Sequence, residues 1–184
     1  MKKTNLILYL VIIFAAIGTR LVPYMWNFAP VTALAIFAAI YLPKKQATAL
    51  PLVVRFFSDA IIGLFSWPLM IAVYLAHLFG VLMGLWVRRN KSVGRVIAAP
   101  IISAGVFFLI TNFAWLYPTY PNDLSGIMLA YTNGLPFLRG TMFGDVIYTV
   151  ALVGAYESVR YYLKFKTSPS VIPDATKDNQ GATI

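Results

Sequence analysis

Residues 69–87, LMIAVYLAHLFGVLMGLWV, form an apolar run of 19 residues that is followed directly by Arg88-Arg89-Asn90-Lys91. A helix needs about 20 consecutive apolar residues to cross the hydrocarbon core of a bilayer. The run contains one histidine, His77, and no formally charged side chain. A basic cluster at the end of such a run is typical of the cytoplasmic side of a membrane span. This stretch therefore predicts a transmembrane helix.

Five further apolar stretches surround this run, at residues 5–22, 29–42, 47–65, 96–116 and 141–163. The chain is 60% hydrophobic and 11% charged, whereas a soluble domain is nearer half apolar and about a quarter charged. We predict an all-α, polytopic membrane helix bundle of about six transmembrane helices over residues 1–166. Residues 167–184 are rich in Ser, Pro, Asp and Thr, which predicts a disordered cytoplasmic tail.

The basic residues predict how the bundle is oriented. The first 16 residues resemble an export signal, but no small-residue cleavage site precedes a polar start, which favours an uncleaved first helix. With both termini in the cytoplasm, 12 of the 15 basic residues lie on the inner side, namely Lys2, Lys3, Lys44, Lys45, Arg88, Arg89, Lys91, Arg95, Arg160, Lys164, Lys166 and Lys177. We therefore expect a multi-pass protein of the cell membrane, a bacterial inner membrane, with cytoplasmic termini.

The segment between the last two spans, residues 117–140, begins with a run of turn-forming residues. Asp123 is a plausible N-cap, and Leu124–Tyr131 is long enough for one or two helical turns. Asn133-Gly134 and Pro136 are expected to end this helix. The segment is therefore predicted to be a lid or an interfacial helix.

Composition and motifs exclude several classes of function. The chain has no cysteine, so disulfides, thiolate metal sites and thiol catalysis are ruled out. Its net charge of +9 is distributed between apolar spans rather than along an aromatic-rich basic stripe, which argues against nucleic acid. No catalytic or phosphate-binding motif is present. We expect neither an enzyme nor a bound metal or cofactor.

A small set of polar and aromatic residues lies within the spans or at their predicted outer ends. Charge in hydrocarbon is costly and usually functional, so these residues predict a pocket that opens to the outside. The candidate substrate-binding residues are Trp26, Asn27, Asp59, His77, Asn112, Trp115, Arg139 and Asp145.

Structural roles remain open for the same side chains. Arg55 and Asp59 are four residues apart and share one helix face, where they could simply neutralise each other. Asp145 could pair with Arg139 or Arg20. His77 alone is more often a hydrogen-bonded core residue than a ligand.

Pairs of small residues four apart recur in the spans. Such pairs let helix backbones approach closely in a membrane. They occur at Gly80/Gly84, Gly140/Gly144, Ala35/Ala39, Ala72/Ala76 and Ala151/Ala155. They predict contacts inside this bundle or docking onto a partner membrane subunit.

Five motifs in order resemble those of a family of uncharacterised bacterial six-helix membrane proteins: residues 27–35 (NFAPVTALA), 58–59 (SD), 107–113 (FFLITNF), 120–121 (YP) and 136–145 (PFLRGTMFGD). The resemblance covers about residues 20–157. That family is in turn similar to the substrate-binding S components of energy-coupling factor transporters. The resemblance implies an outward substrate pocket for a vitamin-like or micronutrient-like molecule. It also implies a coupling membrane subunit and ATPases as partners.

Three functions follow as expectations. The first is a substrate-binding subunit of a small-molecule transporter, with the pocket described above. The second is a solitary proton-coupled permease or membrane enzyme, in which Asp59, His77 and Asp145 form a relay. The third is an accessory assembly protein, which would leave its polar residues paired internally and no cavity open.

Overall fold

A computed structural model describes residues 16–21 and 27–167 of the chain. These residues form helices and no strands, which confirms the predicted all-helical class. The helices are α1 (16–21), α2 (Val31–Tyr41), α3 (Lys44–Ile62), α4 (Trp67–Arg89), α5 (Val93–Thr111) and α6 (Leu124–Thr167), with a 3-10 turn at Ala114–Leu116 after α5.

Two compact units divide the chain between Val153 and Gly154. The first unit contains α1 to α5 and residues 124–153 of α6. In the second unit, residues 154–167 are helical and their side chains are mostly exposed. The predicted disordered tail lies outside the described residues, apart from Thr167.

Three of the described helices are long and apolar enough to cross a membrane: Trp67–Arg89, Val93–Thr111 and Leu124–Lys166. They cover the predicted spans at residues 69–87 and 141–163 and most of the one at residues 96–116, which ends earlier, at Thr111. Their exposed surfaces carry large apolar side chains such as Ile71, Leu75 and Leu109, which a lipid environment accommodates. The predicted span at residues 29–42 is the shorter apolar helix α2. The predicted span at residues 5–22 lies mostly outside the described residues.

Helix α2 is the central helix of the first unit. Every residue from Val31 to Ile40 is buried, and the small residues of α4 lie directly against it. A Cβ atom added at Gly84 would clash with the Ile36 carbonyl and would lie 2.6 Å from the Ala39 methyl. The Gly80/Gly84 and Ala35/Ala39 pairs therefore bring α2 and α4 together inside this chain.

At one end of the bundle, basic side chains bind exposed helix carbonyls. Arg88 donates from Nη1 to the Leu42 carbonyl at 3.0 Å, just after the end of α2. Arg95 donates to the Trp86 carbonyl at 3.3 Å, and its guanidinium carbon lies 4.7 Å from the Trp86 ring centroid. Carbonyls at a helix C-terminus lack hydrogen-bond donors within the helix, and these two arginines supply the missing donors.

The predicted break at Asn133-Gly134 and Pro136 is wrong, because α6 continues through all three residues. Asp123 does cap α6 as predicted, since its Oδ1 accepts from the Gly126 amide at 2.9 Å. A proline removes only one backbone hydrogen bond of a helix. The turn before Pro136 is held by its neighbours, since Asn133 donates to the Tyr120 hydroxyl at 3.3 Å.

Gly134 has a packing role rather than a helix-ending one. A Cβ atom there would clash with Asn112 Oδ1 and lie 3.0 Å from the Phe108 ring. The glycine therefore lets α6 approach the end of α5. Of the segment predicted to be a lid or an interfacial helix, residues 124–140 form the first part of α6.

Candidate functional site

Two cavities lie at the end of the bundle away from Arg88 and Arg95. They are bordered by the second half of α3, the first half of α4 and the second half of α5. The smaller cavity encloses about 190 Å³ and is lined by Thr19, Arg20, Asn27, Phe28, Ala29, Val31, Thr32, Arg55, His77, Phe107, Thr141 and Asp145. The larger encloses about 410 Å³ and is lined by Asn27, Arg55, Phe65, Leu69, Val73, Phe107, Thr111, Asn112, Tyr117, Tyr120, Ala130, Asn133, Gly134 and Phe137.

The two cavities adjoin each other, because Asn27, Arg55 and Phe107 line both of them. Asn27 has a φ of 57°, and it is the one described non-glycine residue with a positive φ. Asparagine tolerates this left-handed backbone conformation better than most residues. The turn before α2 therefore places the Asn27 side chain at the junction. Small-molecule sites usually enclose about 300–1,000 Å³, a range that the two adjoining cavities reach.

An ion triad forms one wall of the site. The Asp59 carboxylate accepts from Arg20 Nη2 at 2.9 Å and from Arg55 Nε at 2.7 Å. The Tyr74 hydroxyl donates to the same carboxylate at 3.3 Å, and Arg20 also donates from Nη1 to the Ser58 hydroxyl. Two guanidinium groups share one carboxylate, so the triad carries an excess of one positive charge.

A second polar group forms around Thr32. Its hydroxyl lies 3.3 Å from His77 Nδ1, and its side chain also hydrogen-bonds the Asp145 carboxylate. His77 and Asp145 are both buried, with exposed fractions of 5% and 1%. His77 Nε2 and Asp145 Oδ2 have no hydrogen-bond partner among the described residues. Both residues line the smaller cavity, so a bound molecule could satisfy these two atoms.

Five of the fourteen residues that line the larger cavity are aromatic. Arg55 lies 5.8 Å from the ring centroid of Phe65. Tyr117 donates to the Thr111 carbonyl at 2.7 Å and contacts the Tyr120 ring edge to face at 5.8 Å. Burial raises the pKa of Tyr117, and the neighbouring Tyr120 raises it further. The Tyr117 phenol therefore stays protonated and keeps donating its hydrogen bond.

The structure brings some of the sequence-predicted residues together and separates others. Asn27, His77, Asn112 and Asp145 line one or both cavities. Asp59 lines neither of them, but it holds Arg55, which lines both. The exposed residues Arg139 and Trp115 are not among the lining residues, and Trp26 lies outside the described residues. A substrate-binding role for any of these residues stays a prediction.

Neither proposed pairing of Asp145 occurs among the described residues. Arg20 binds Asp59 instead, and no described ion pair includes Asp145. The proposed pair of Arg55 and Asp59 is confirmed.

Three residues that line the smaller cavity are not among the predicted binding residues: Arg20, Thr32 and Arg55. The sequence suggests only ion pairing for the two arginines. The signal for Thr32 is a hydroxyl inside the otherwise apolar helix α2, where a polar side chain needs a hydrogen-bond partner.

The fold and the site together define an all-helical protein of membrane character with a polar cavity enclosed by its helices. The chain belongs to a family of unknown function, DUF6580, whose model matches residues 1–169. Searches of curated proteins and of solved structures give no match.

Proposed function

We propose that this chain is the substrate-binding subunit of a transporter for a small organic molecule, and that it is not an enzyme. The observation that carries the proposal is the pair of buried atoms, Asp145 Oδ2 and His77 Nε2, without partners among the described residues. A buried polar atom without a hydrogen bond costs about 1–3 kcal/mol. Such a cost persists in a protein where a ligand supplies the missing partner, as it does at a binding site.

The proposal includes a multi-pass arrangement in the cell membrane with both termini in the cytoplasm. Three helices of sufficient length and apolarity support a membrane location. Arg88 and Arg95 lie at the bundle end opposite the cavities, and basic residues favour the cytoplasmic side. In that orientation the cavities open toward the outside, where a capture subunit meets its substrate.

The proposed partners are a coupling membrane subunit and a pair of ATPases, as in the S components that the sequence resembles. Two observations support the proposed partners: the resemblance, and the lack of a phosphate-binding motif in the sequence, which would leave ATP binding to another chain. Gly80 and Gly84 are already covered by α2. A coupling subunit would therefore bind a different surface of the chain.

The test is purification of the tagged protein in mild detergent from its native membrane, with mass spectrometry of both proteins and small molecules. We expect an organic molecule, two ATPases and a membrane subunit to copurify. The matched variant D145N should lose the small molecule and keep the protein partners, because Asp145 is buried in the cavity. Recovery of the protein with neither a small molecule nor an ATPase would overturn the proposal.

A proton-coupled permease is the second candidate, because Thr32 connects His77 with Asp145 through two side-chain hydrogen bonds. Asp59 would not take part, since both of its oxygens bind arginines. The test is proton flux into liposomes that contain the purified protein and a pH-sensitive dye. A flux that D145N and H77Q both abolish would favour the permease, and the absence of flux in the wild type would exclude it. An accessory role is disfavoured, because it predicts that no cavity remains open, whereas the bundle contains two cavities.

A further inference from the structure

The junction of the two cavities is positively charged. Asp59 neutralises only one of the two guanidinium groups that bind it. Arg55 is 15% exposed at its side chain and lines both cavities, and its Nε makes its hydrogen bond to Asp59. Among the described residues, no hydrogen bond occupies its two terminal nitrogens. A guanidinium fork with free donors is suited to a carboxylate or a similar anion.

The wall formed by α6 has the opposite character. Asp145 is 1% exposed, its Oδ2 faces no donor among the described residues, and it lines the smaller cavity. A buried carboxylate oxygen requires a hydrogen-bond donor or a cation. The second unpartnered atom, His77 Nε2, lies in the same cavity and can accept or donate according to its tautomer.

The two cavities differ in size and lining, so each suits a different part of one ligand. The smaller cavity, at about 190 Å³, holds only a compact polar group. The larger, at about 410 Å³, has rings and aliphatic side chains in its lining, including Phe65, Phe107 and Phe137, beside polar residues such as Asn112 and Asn133. An aromatic group packs favourably against the rings of a binding site at centroid distances of about 4.5–7 Å.

We infer, on the basis of the proposed function, that the ligand is a zwitterionic small molecule with an apolar, preferably aromatic, body. Its anionic group binds Arg55 at the junction, its cationic or donor group binds Asp145 in the smaller cavity, and its body fills the larger cavity. A purely cationic ligand would leave the excess positive charge of the ion triad unmatched, and a purely anionic ligand would leave Asp145 without an ionic partner. The arrangement therefore selects for both charges on one molecule.

The test uses four probes that share one ring system: tryptophan, which is zwitterionic, tryptamine, a cation, indole-3-acetate, an anion, and neutral indole. Their binding to the full chain in lipid nanodiscs is measured by equilibrium dialysis. We expect tryptophan to bind at least about tenfold more tightly than any of the other three, a difference well within the range of one charged hydrogen bond. Equal affinities for all four probes, or no binding of any of them, would overturn the inference.

Variants assign each charge to its residue. D145N should lower the affinity for tryptophan and tryptamine about tenfold and leave indole-3-acetate unchanged. R55Q should lower the affinity for tryptophan and indole-3-acetate and leave tryptamine unchanged, whereas R55K should restore part of the preference for the anion. If R55Q does not fold, D145N and R55K still test the inference. Tryptamine that binds D145N as tightly as it binds the wild type would contradict the role of Asp145.

The failure of this inference can be distinguished from failure of the proposed function. If another small molecule copurifies with the wild type from native membranes and D145N loses it, the proposed function stands even though the indole probes do not bind. If no small molecule copurifies and no probe binds, both fail.

Discussion

Helices α2 and α4 meet in two different ways along their length. Near Gly84 their backbones touch, because a Cβ atom would lie 2.6 Å from the Ala39 methyl and would clash with the Ile36 carbonyl. Near His77 and Thr32 the same two helices carry polar side chains that border a cavity of about 190 Å³. We call these the closed half and the open half of the α2–α4 contact.

The difference lies in the size and polarity of a few side chains. The closed half uses glycine and alanine, so dispersion contacts between backbones stabilise it. The open half uses side chains that need partners, and the Nε2 atom of His77 has none among the described residues. The closed half therefore stabilises the fold, while the open half borders the cavity that the proposed function uses for binding. Functional sites are commonly kept at such a cost to stability.

The largest effect is expected at the ion triad, whose arginines line the same cavity as the open half. D59N removes the carboxylate that binds Arg20 and Arg55, whose side chains are 10% and 15% exposed. Loss of one partner from a buried ion pair destabilises a protein by about 3–5 kcal/mol. Thermal unfolding in detergent should show a large fall in Tm. A Tm equal to that of the wild type would mean that the arginines find other partners and that the triad does not hold the wall.

The next effect is expected in the closed half. G84A forces α2 and α4 apart, because its methyl group would clash with the Ile36 carbonyl. Overpacking of this kind costs about 1–3 kcal/mol. The matched control is G105A in α5, where no atom lies within 4 Å of an added Cβ. This control should be as stable as the wild type or more so, since alanine is the better helix former by about 1 kcal/mol. Equal Tm values for the two variants would contradict the close contact.

A smaller effect of opposite sign is expected for the other buried aspartate. D145N replaces a carboxylate that has no ion pair among the described residues with a neutral group of the same shape. We expect Tm to stay the same or to rise by a few degrees, since a buried carboxyl group without an ion pair is unfavourable and an amide of the same shape is less so. A fall in Tm as large as that of D59N would show that Asp145 is a structural residue.

The smallest effect is expected at the loop beside the larger cavity. Hydrogen bonds from the Ser125 hydroxyl and the Gly126 amide lower the pKa of Asp123. Its capping contribution is therefore fully present above the unfolded-state pKa of about 4 and is lost as the pH falls through the lower, folded-state pKa. Hydrogen exchange at the Gly126 amide should speed up in that acidic range. D123N should remove this pH dependence, and an unchanged profile would show that the cap does not control the first turn of α6.

Most of the helix positions could be predicted from the sequence, because apolar length alone decides where a helix can cross a membrane. The run at residues 69–87 predicted α4 to within two residues at each end. Local preference could not decide whether the helix ends before Pro136. The helix continues because of long-range contacts, such as that of Gly134 with Asn112, and a single sequence does not reveal such contacts.

The site could be predicted only in part. A polar residue in an apolar span is visible in the sequence, and four such predicted residues line the cavities. Which partner each one finds is a matter of three-dimensional distance. Arg20 binds Asp59, 39 residues away, and Thr32 contacts His77, 45 residues away, so neither contact could be derived from spacing along the chain.

The arginines opposite the cavities also affect how the chain could be re-engineered. Arg88 binds the carbonyl that follows α2, and Arg95 binds the last turn of α4. Charge-reversal experiments that probe membrane insertion usually replace such residues on the assumption that they act only as topological signals. Here R88E would also leave a helix-end carbonyl without its donor, so insertion and folding would change together. Lys44 and Lys45, which are exposed at the start of α3, are better positions for moving charge without disturbing that contact.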